Sequence, residues 1–265
     1  MQYNLESICN QVIALTKNTS QFIRSECETF DLSKIEHKSP IDMVSYVDKE
    51  TENKLVKGLS EILPEAGFIT EEGTVTQATT GLKWIIDPLD GTTNFLHKLP
   101  PYSISIALMD EEELLLGVVH EVVLDECFYA WKNGGAWCNG NKIQVSAINT
   151  VNASLIAFGF PYNLEGNGEK YFEILKKFVG NSHGLRRLGS AAADLAYVAC
   201  GRFNAYFEFN LKIWDIAAGI LLVKEAGGKV SDFKGGGEYL YGKELIASGN
   251  IQEEMLNILK PGWGY

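Results

Sequence analysis

One stretch constrains this chain more than any other: Trp84-Ile-Ile-Asp-Pro-Leu-Asp-Gly-Thr-Thr-Asn-Phe95. Leu82, Trp84, Ile85 and Ile86 make the apolar run of a buried strand. Asp87, Pro88, Leu89, Asp90 and Gly91 then end that strand with turn chemistry. Pro88 fixes its own φ and disfavours helix at Asp87. Gly91 lets the backbone come close to a ligand. Thr92 and Thr93 suit the start of a helix, where side-chain oxygens cap free amides. Two carboxylates are thereby held on a stiff turn beside a helix start. Carboxylate oxygens bind hard cations such as Mg²⁺, and free helix amides bind phosphate. Both in one turn point to metal-assisted phosphate chemistry. Asp-x-x-Asp-Gly alone is more often a solvated turn; the apolar strand before it and the Gly-Thr-Thr after it set this one apart. A calcium loop would need acids at alternating positions and a closing Glu, and it has neither.

Composition narrows the class. A chain of 265 residues can bury one large core or two packed halves. Its net charge of −11, with no basic run, excludes a nucleic-acid surface of the usual kind. An acidic protein still takes an anionic substrate when bound cations invert the local field. The five cysteines (Cys9, Cys27, Cys127, Cys138, Cys200) are scattered and lack a C-x-x-C pair, so reduced thiols of a cytoplasmic protein fit better than disulfides or a zinc site. No signal peptide and no membrane-spanning apolar stretch is read.

In chain order, Leu5 to about Cys27 reads as an amphipathic helix. His37 to Asp48 is a polar loop containing Lys38, which locally reads as any surface lysine. Asp48 reads locally as the N-cap of a second helix running to Ile62. Gly67 to Glu72 is a short strand ending in two acids, and Thr74 to Gly81 a polar linker. Strands are expected at Ser103 to Leu108, Leu114 to Val123 and Cys127 to Trp131, with a hairpin at Asn139-Gly140-Asn141. The expected halves are residues 1–147 and 148–265. The second half reads as a strand from Leu155 to Phe160, a helix within Tyr162 to Asn181, and a helix from Gly189-Ser190-Ala191 through Val198. A strand from Asn204 to Phe209 carries Glu208. A helix from Ile213 to Gly227 has Asp215 in its first turn, where an acid also simply suits the dipole. A strand at Glu244 to Ser248 and a helix at Gln252 to Leu259 close the chain. The four histidines show no ligand spacing and read as structural or surface residues. G-x-x-x-x-G-K-[ST], H-E-x-x-H and G-x-S-x-G are absent.

Three separated segments then combine: Gly67-Phe-Ile-Thr-Glu-Glu72, Asp87-Pro-Leu-Asp-Gly-Thr-Thr93 and Trp214-Asp-Ile-Ala-Ala-Gly219. In this order and spacing, over nearly the whole chain, they resemble the inositol monophosphatase family of the Mg²⁺-dependent, lithium-sensitive phosphatase superfamily, to which fructose-1,6-bisphosphatases also belong. The resemblance implies a mixed α+β fold, a layered α-β-α-β-α sandwich, and a homodimer. It implies two or three Mg²⁺ ions, with Mn²⁺ as a substitute and Li⁺ as an inhibitor. Position by position, it makes Glu71, Asp87 and the Leu89 carbonyl ligands of one ion and Asp87, Asp90 and Asp215 ligands of a second. A third, weaker ion would use Glu71 and waters. Glu72 stands beside them. Asp48 and Thr92 become the pair that polarises the attacking water. Gly91 and Thr92 offer amides to phosphate, with Asp90 also at the substrate. Ser190, Ala191 and Glu208 contact the alcohol part of the substrate, and Lys38 belongs to a mobile loop that is one residue shorter here. The expected activity is hydrolysis of a small phosphate monoester, myo-inositol 1-phosphate first. Fructose 1,6-bisphosphate, the 2′-phosphate of NADP(H) and an adenosine bisphosphate are alternatives. A non-catalytic regulatory scaffold and a bare metal- or lithium-binding protein are the competing classes.

Overall fold

The computed structural model describes residues 3–30, 36–37, 43–161, 164 and 166–265. Two long helices come first, α1 (Leu5–Thr29) and α2 (Tyr46–Ile62), with a two-residue pair of strands between them, β1 (Glu36–His37) and β2 (Met43–Val44). Asn4 caps α1, its side-chain oxygen accepting the Ser7 N–H at 3.1 Å. Ile8, Cys9, Val12, Thr16, Thr19, Ser20 and Ile23 form its buried stripe, close to helical spacing.

A seven-stranded sheet follows in the order β3-β4-β5-β6-β7-β8-β9. Its strands are β3 (Gly67–Thr70), β4 (Leu82–Asp90), β5 (Ser103–Asp110), β6 (Glu113–Glu121), β7 (Glu126–Trp131), β8 (Gly135–Cys138) and β9 (Asn141–Ile143). Only the β3–β4 pair is parallel. A short helix, α3 (Thr92–Leu96), follows β4. Past a 3₁₀ turn at Val151–Ala153, a five-stranded sheet has the order β11-β10-β12-β14-β13. It comprises β10 (Leu155–Phe158), β11 (Gly184–Arg186), β12 (Ala205–Phe209), β13 (Lys229–Ser231) and β14 (Glu244–Ser248). The remaining helices are α4 (Gly168–Phe178), α5 (Ala191–Ala199), α6 (Ile213–Glu225) and α7 (Gln252–Trp263).

Three apolar clusters stack these elements. The first joins α1 and α2 to one face of the large sheet through Val12, Leu55, Trp84 and Leu116. The second fills the middle, where α5 and α6 lie between the two sheets. The third seats α4 and α7 on the outer face of the small sheet through Tyr171, Phe207 and Trp263. The result is the expected α-β-α-β-α layering. Its central helices are buried all round, and their small residues (Ala191, Ala192, Ala196, Ala217, Ala218, Gly219) allow the close approach. Among the described residues no helix is long and apolar enough to cross a membrane. All five cysteines are free thiols.

The structure corrects the expectation at several points. β4 does not end at Asp87; it runs on to Asp90. Its register on β5 shifts between Asp87, opposite Ser105, and Asp90, opposite Ser103. That bulge accommodates Pro88, which cannot donate to a ladder. Asp48 is not the N-cap of α2: Ser45 is, and Asp48 sits at the third helical position, closing a capping box. Neither Thr92 nor Thr93 caps α3, whose N-cap is Gly91 with no side-chain bond. β11 and β13, three residues each, were too short to show alternation. Lys38 lies outside the described residues.

His120 is fully buried on the α1 side of β6; among the described residues neither ring nitrogen has a hydrogen-bond partner, and Nε2 lies 3.4 Å from Asp125 Oδ1. Burial pushes its pKa down from 6.5 to about 4, with Arg24 and Lys17 acting in the same direction and Asp125 against them. The folded ring stays neutral while the unfolded one gains a proton below about pH 6.5. Its contribution is therefore intact above that pH and is lost as pH falls toward 4, on the order of 3 kcal/mol. His120→Leu is expected to flatten the fall in melting temperature between pH 6.5 and 4. A fall as steep as that of the unaltered protein would assign the acid sensitivity to another group.

Candidate active site

A cavity of about 420 Å³ opens where β4, α5, β12 and α6 meet. The bulge on β4 builds one wall. Asp87 is buried, and its Oδ1 accepts the Leu89 N–H at 3.0 Å, which holds the strand's kink. Leu89, Asp90, Gly91 and Thr92 follow along the same wall. Gly91 has φ +94, and a Cβ there would stand 3.1 Å from the Pro101 carbonyl and 3.3 Å from that of Gly189. Only glycine meets both demands.

Each acid is fixed by an element of its own. Glu71 enters the cavity just past β3, its N–H bonded to the Ile86 carbonyl at 3.2 Å. Asp90 Oδ2 accepts the Ser190 hydroxyl at 2.6 Å and the Ala192 N–H at 2.7 Å, so it also docks on the first turn of α5. Asp215, at the third position of α6, uses Oδ2 to accept the Lys212 N–H at 2.7 Å. Ser105 donates to the Trp214 carbonyl at 3.3 Å and pins that helix start to β5. Asn94 donates to the carbonyls of Pro101 and Leu188 at 2.7 and 2.8 Å, tying the turn after β4 to the loop before α5.

Thr92 Oγ1 lies 2.9 Å from Asp48 Oδ1 and 3.1 Å from the Leu89 carbonyl. One hydroxyl hydrogen serves one acceptor at a time. Asp48 is itself buried, with Oδ2 accepting the N–H and the hydroxyl of Ser45 at 2.8 and 2.6 Å. It stands behind Thr92 rather than on the cavity wall. Glu72 is also off the wall; its N–H donates to Glu52 at 2.8 Å.

The far end is built by β12 and α5. Glu208 is buried and accepts the Tyr206 hydroxyl. Its carboxylate fills the space in which a side chain at residue 159 would stand. Ser190 and Ala191 line this end; Ser190 also caps α5, and its hydroxyl donates to Asp90. Ser103 lies 2.9 Å behind it and supplies the next hydroxyl of that chain. Sequence reading missed Asp194 and Arg187, which line the cavity, and Glu52, which lies behind it. Asp194 Oδ1 is enclosed and has no hydrogen-bond partner among the described residues. Nothing in the alanine-rich run around Asp194 signals a cavity wall.

Burial raises several of the carboxyls that line the cavity. Burial pushes the Asp87 carboxyl well above the usual carboxylate range, and the charges of Glu71, Asp90 and Asp215 add to it. Burial raises Asp90 to about 6 against the pull of Ser190 and Ala192. Asp215 rises well above its ordinary value, by burial first and then by Asp90, Glu71 and Glu208. Burial takes Glu208 to about 7. Among the described residues no three acids, histidines or cysteines stand close enough to form a ready ligand cage. The donor set is hard oxygen throughout, which fits Mg²⁺ or Mn²⁺ and not a soft metal.

Comparison with known proteins agrees with this architecture. The model of the Inositol monophosphatase family matches residues 4–261. The inositol-1-monophosphatase of Rhizobium meliloti is 42% identical over 210 residues, 79% of each chain. The Nus factor SuhB of Pseudomonas aeruginosa is 36% identical over 264 residues, 97% of each. The crystal structure of the extragenic suppressor protein suhB from Bartonella henselae superimposes with a TM-score of 0.91 at 35% identity, covering 97% of this chain and 99% of that one. With a match that spans both sheets and every helix that frames the cavity, the chain belongs to the inositol monophosphatase family.

Proposed function

We propose that this chain hydrolyses a small phosphate monoester using water activated by divalent metal, Mg²⁺ in the first place. One observation carries the reading. Glu71, Asp87, Asp90 and Asp215, from three distant parts of the sequence, face one cavity whose wall also holds Thr92 backed by Asp48. When bound, the ions supply charge neutralisation of the phosphate dianion and a bound water of lowered pKa.

The chain's own residues do the rest. Glu71, Asp87 and the Leu89 carbonyl would hold one ion, and Asp87, Asp90 and Asp215 a second; a third, weaker ion would use Glu71 and waters. Were the Leu89 oxygen taken by a cation, the Thr92 hydrogen would be left to Asp48, and Thr92 Oγ1 would be free to accept a hydrogen bond from the attacking water. Asp48 gives that hydroxyl its direction. Gly91 and Thr92 present amides to the phosphate. Glu208 and the first turn of α5 at Ala191 receive the alcohol; a carboxylate accepts hydroxyl hydrogen bonds, which suits a polyol. Glu72 orders the loop that carries Glu71. Lys38 is assigned to a loop over the site, and the assembly to a homodimer, on the family resemblance; light scattering measures the latter.

The test is phosphate release from myo-inositol 1-phosphate, fructose 1,6-bisphosphate, NADP(H) and an adenosine bisphosphate, with Mg²⁺, with Mn²⁺ and with added Li⁺. The polyol monophosphate is expected to turn over fastest, Mn²⁺ to substitute for Mg²⁺, and Li⁺ to inhibit. No release from any of the four with either metal would overturn the reading. Because several relatives carry the name Nus factor SuhB, a second reading is a regulatory scaffold that needs the fold and not the chemistry. A variant dead in hydrolysis that still performs the biological role would favour it.

A further inference from the structure

We propose that Glu52 is a positioning residue that sets the place of Glu71 in the cavity, acting through the backbone of the loop that follows β3. The inference rests on the metal-binding reading of Glu71 given above.

Glu52 is fully buried in the second turn of α2. An ionised side chain so enclosed needs several donors to offset the loss of water. It has three, all from one loop. Its Oε2 accepts the Glu72 N–H at 2.8 Å. Its Oε1 accepts the Thr74 N–H at 2.8 Å and the Thr74 hydroxyl at 2.7 Å. No basic side chain is among these partners.

The geometry clamps the peptide on both sides of Glu71. The Glu71 N–H is bonded to β4 through the Ile86 carbonyl at 3.2 Å, and the next N–H, that of Glu72, is bonded to α2 through Glu52. Only the Glu71 side chain is left to reach the cavity wall. Without Glu52, the loop past Thr70 would keep the Ile86 bond at its start and the bonds of Gln77 and Ala78 to Thr70 and Phe68 at its end, and would lose its ties to α2 between them.

Asp48 and Glu52 are four residues apart and so share one face of α2. Asp48 reaches Thr92 beyond β4, and Glu52 reaches the loop beyond β3. One helix face therefore fixes the residue proposed to orient water and the residue proposed to hold the first ion. Supporting hydrogen bonds of this kind are commonly worth 10–100-fold in metal affinity.

Glu52→Gln tests this. The amide keeps the shape and one acceptor, but its NH₂ must face an N–H donor. Two readouts are taken on the substrate-free protein: Mg²⁺ affinity by titration calorimetry, and amide exchange at Glu72 and Thr74. The expected result is Mg²⁺ binding weaker by about 10–100-fold, with exchange of both amides faster by at least about tenfold. kcat at saturating Mg²⁺ stays within a few-fold of the unaltered protein, because no reacting group has been removed. Thr74→Val, which deletes one donor and leaves the carboxylate, shifts affinity in the same direction by a smaller factor.

Unchanged Mg²⁺ affinity in Glu52→Gln overturns the proposal, even if its melting temperature falls. So does unchanged exchange at the two amides. Should Glu52→Gln fail to fold, wild-type affinity in Thr74→Val overturns it instead. If the unaltered protein binds no divalent ion, the proposed function fails, and the exchange data still decide whether Glu52 holds the loop.

Discussion

Asp90→Asn is expected to lower turnover at saturating Mg²⁺ by at least about 10³-fold, equivalent to about 4 kcal/mol of barrier, while the fold survives. Asparagine is the same size and can still accept from the Ser190 hydroxyl and the Ala192 N–H, the two bonds that dock Asp90 on α5. What it removes is charge aimed into the cavity. The second ion would keep Asp87 and Asp215 and lose one anionic ligand of three, and the place of the ester would loosen with it. Stability moves the other way. Burial already pushes the Asp90 carboxyl up to about 6, so the ionised form opposes folding at neutral pH. The metal-free variant is expected to melt no lower than the unaltered protein, and added Mg²⁺ to raise its melting temperature less. Kinetics of phosphate release together with melts in the presence and absence of Mg²⁺ check both halves. Near-normal turnover would remove Asp90 from the chemistry.

Gly117→Val is expected to cost about 3 kcal/mol or more, a fall in melting temperature of roughly 6–12 °C, and to take activity with it. Gly117 lies on β6 beneath α6. A Cβ at this position would stand 2.7 Å from the Ala218 carbonyl oxygen and 3.0 Å from its Cα. Those are backbone atoms of a helix buried between two sheets, so no rotamer change relieves the overlap. Either β6 or α6 must move, and α6 carries Asp215 at its start. Gly237→Ala is the control: nothing lies within 4 Å of a Cβ there, and its effect should stay within about 0.5 kcal/mol. A Gly117→Val protein melting within 2–3 °C of the unaltered one would show that the helix–strand contact is softer than it looks.

The sequence was most legible where one local rule acts alone. Apolar spacing located α1, α2 and α6, and the strand-then-acids pattern located the wall of the cavity. Where two rules competed, the wrong one was followed. Pro88 signalled a strand end, but the bulge between Asp87 and Asp90 lets the strand continue around it. Asp48 looked like a cap because an acid often is one; Ser45, three residues earlier, completes the Ser-x-x-Asp box. No local pattern showed that the Ser190 hydroxyl bonds Asp90, 100 positions away in the chain. Arg187 and Asp194 were invisible for the same reason. Their significance comes from Glu208 and Asp90, which only folding brings near. Glu52 read as one more polar position on a helix, because its partners, Glu72 and Thr74, lie 20 and 22 residues downstream.

The seating of α6 on Gly117 has a wider consequence. The spacing of the acids across the cavity is set by a strand and a helix in backbone contact, not by any flexible connection. Another stretch of the rim, at Phe160 and Pro161, lies on the segment leaving β10 and has no part in that seating. Directed change of ester preference therefore has a natural address. Libraries drawn from the rim can explore new alcohols, whereas diversity introduced beneath α6 would erode hydrolysis for every substrate alike.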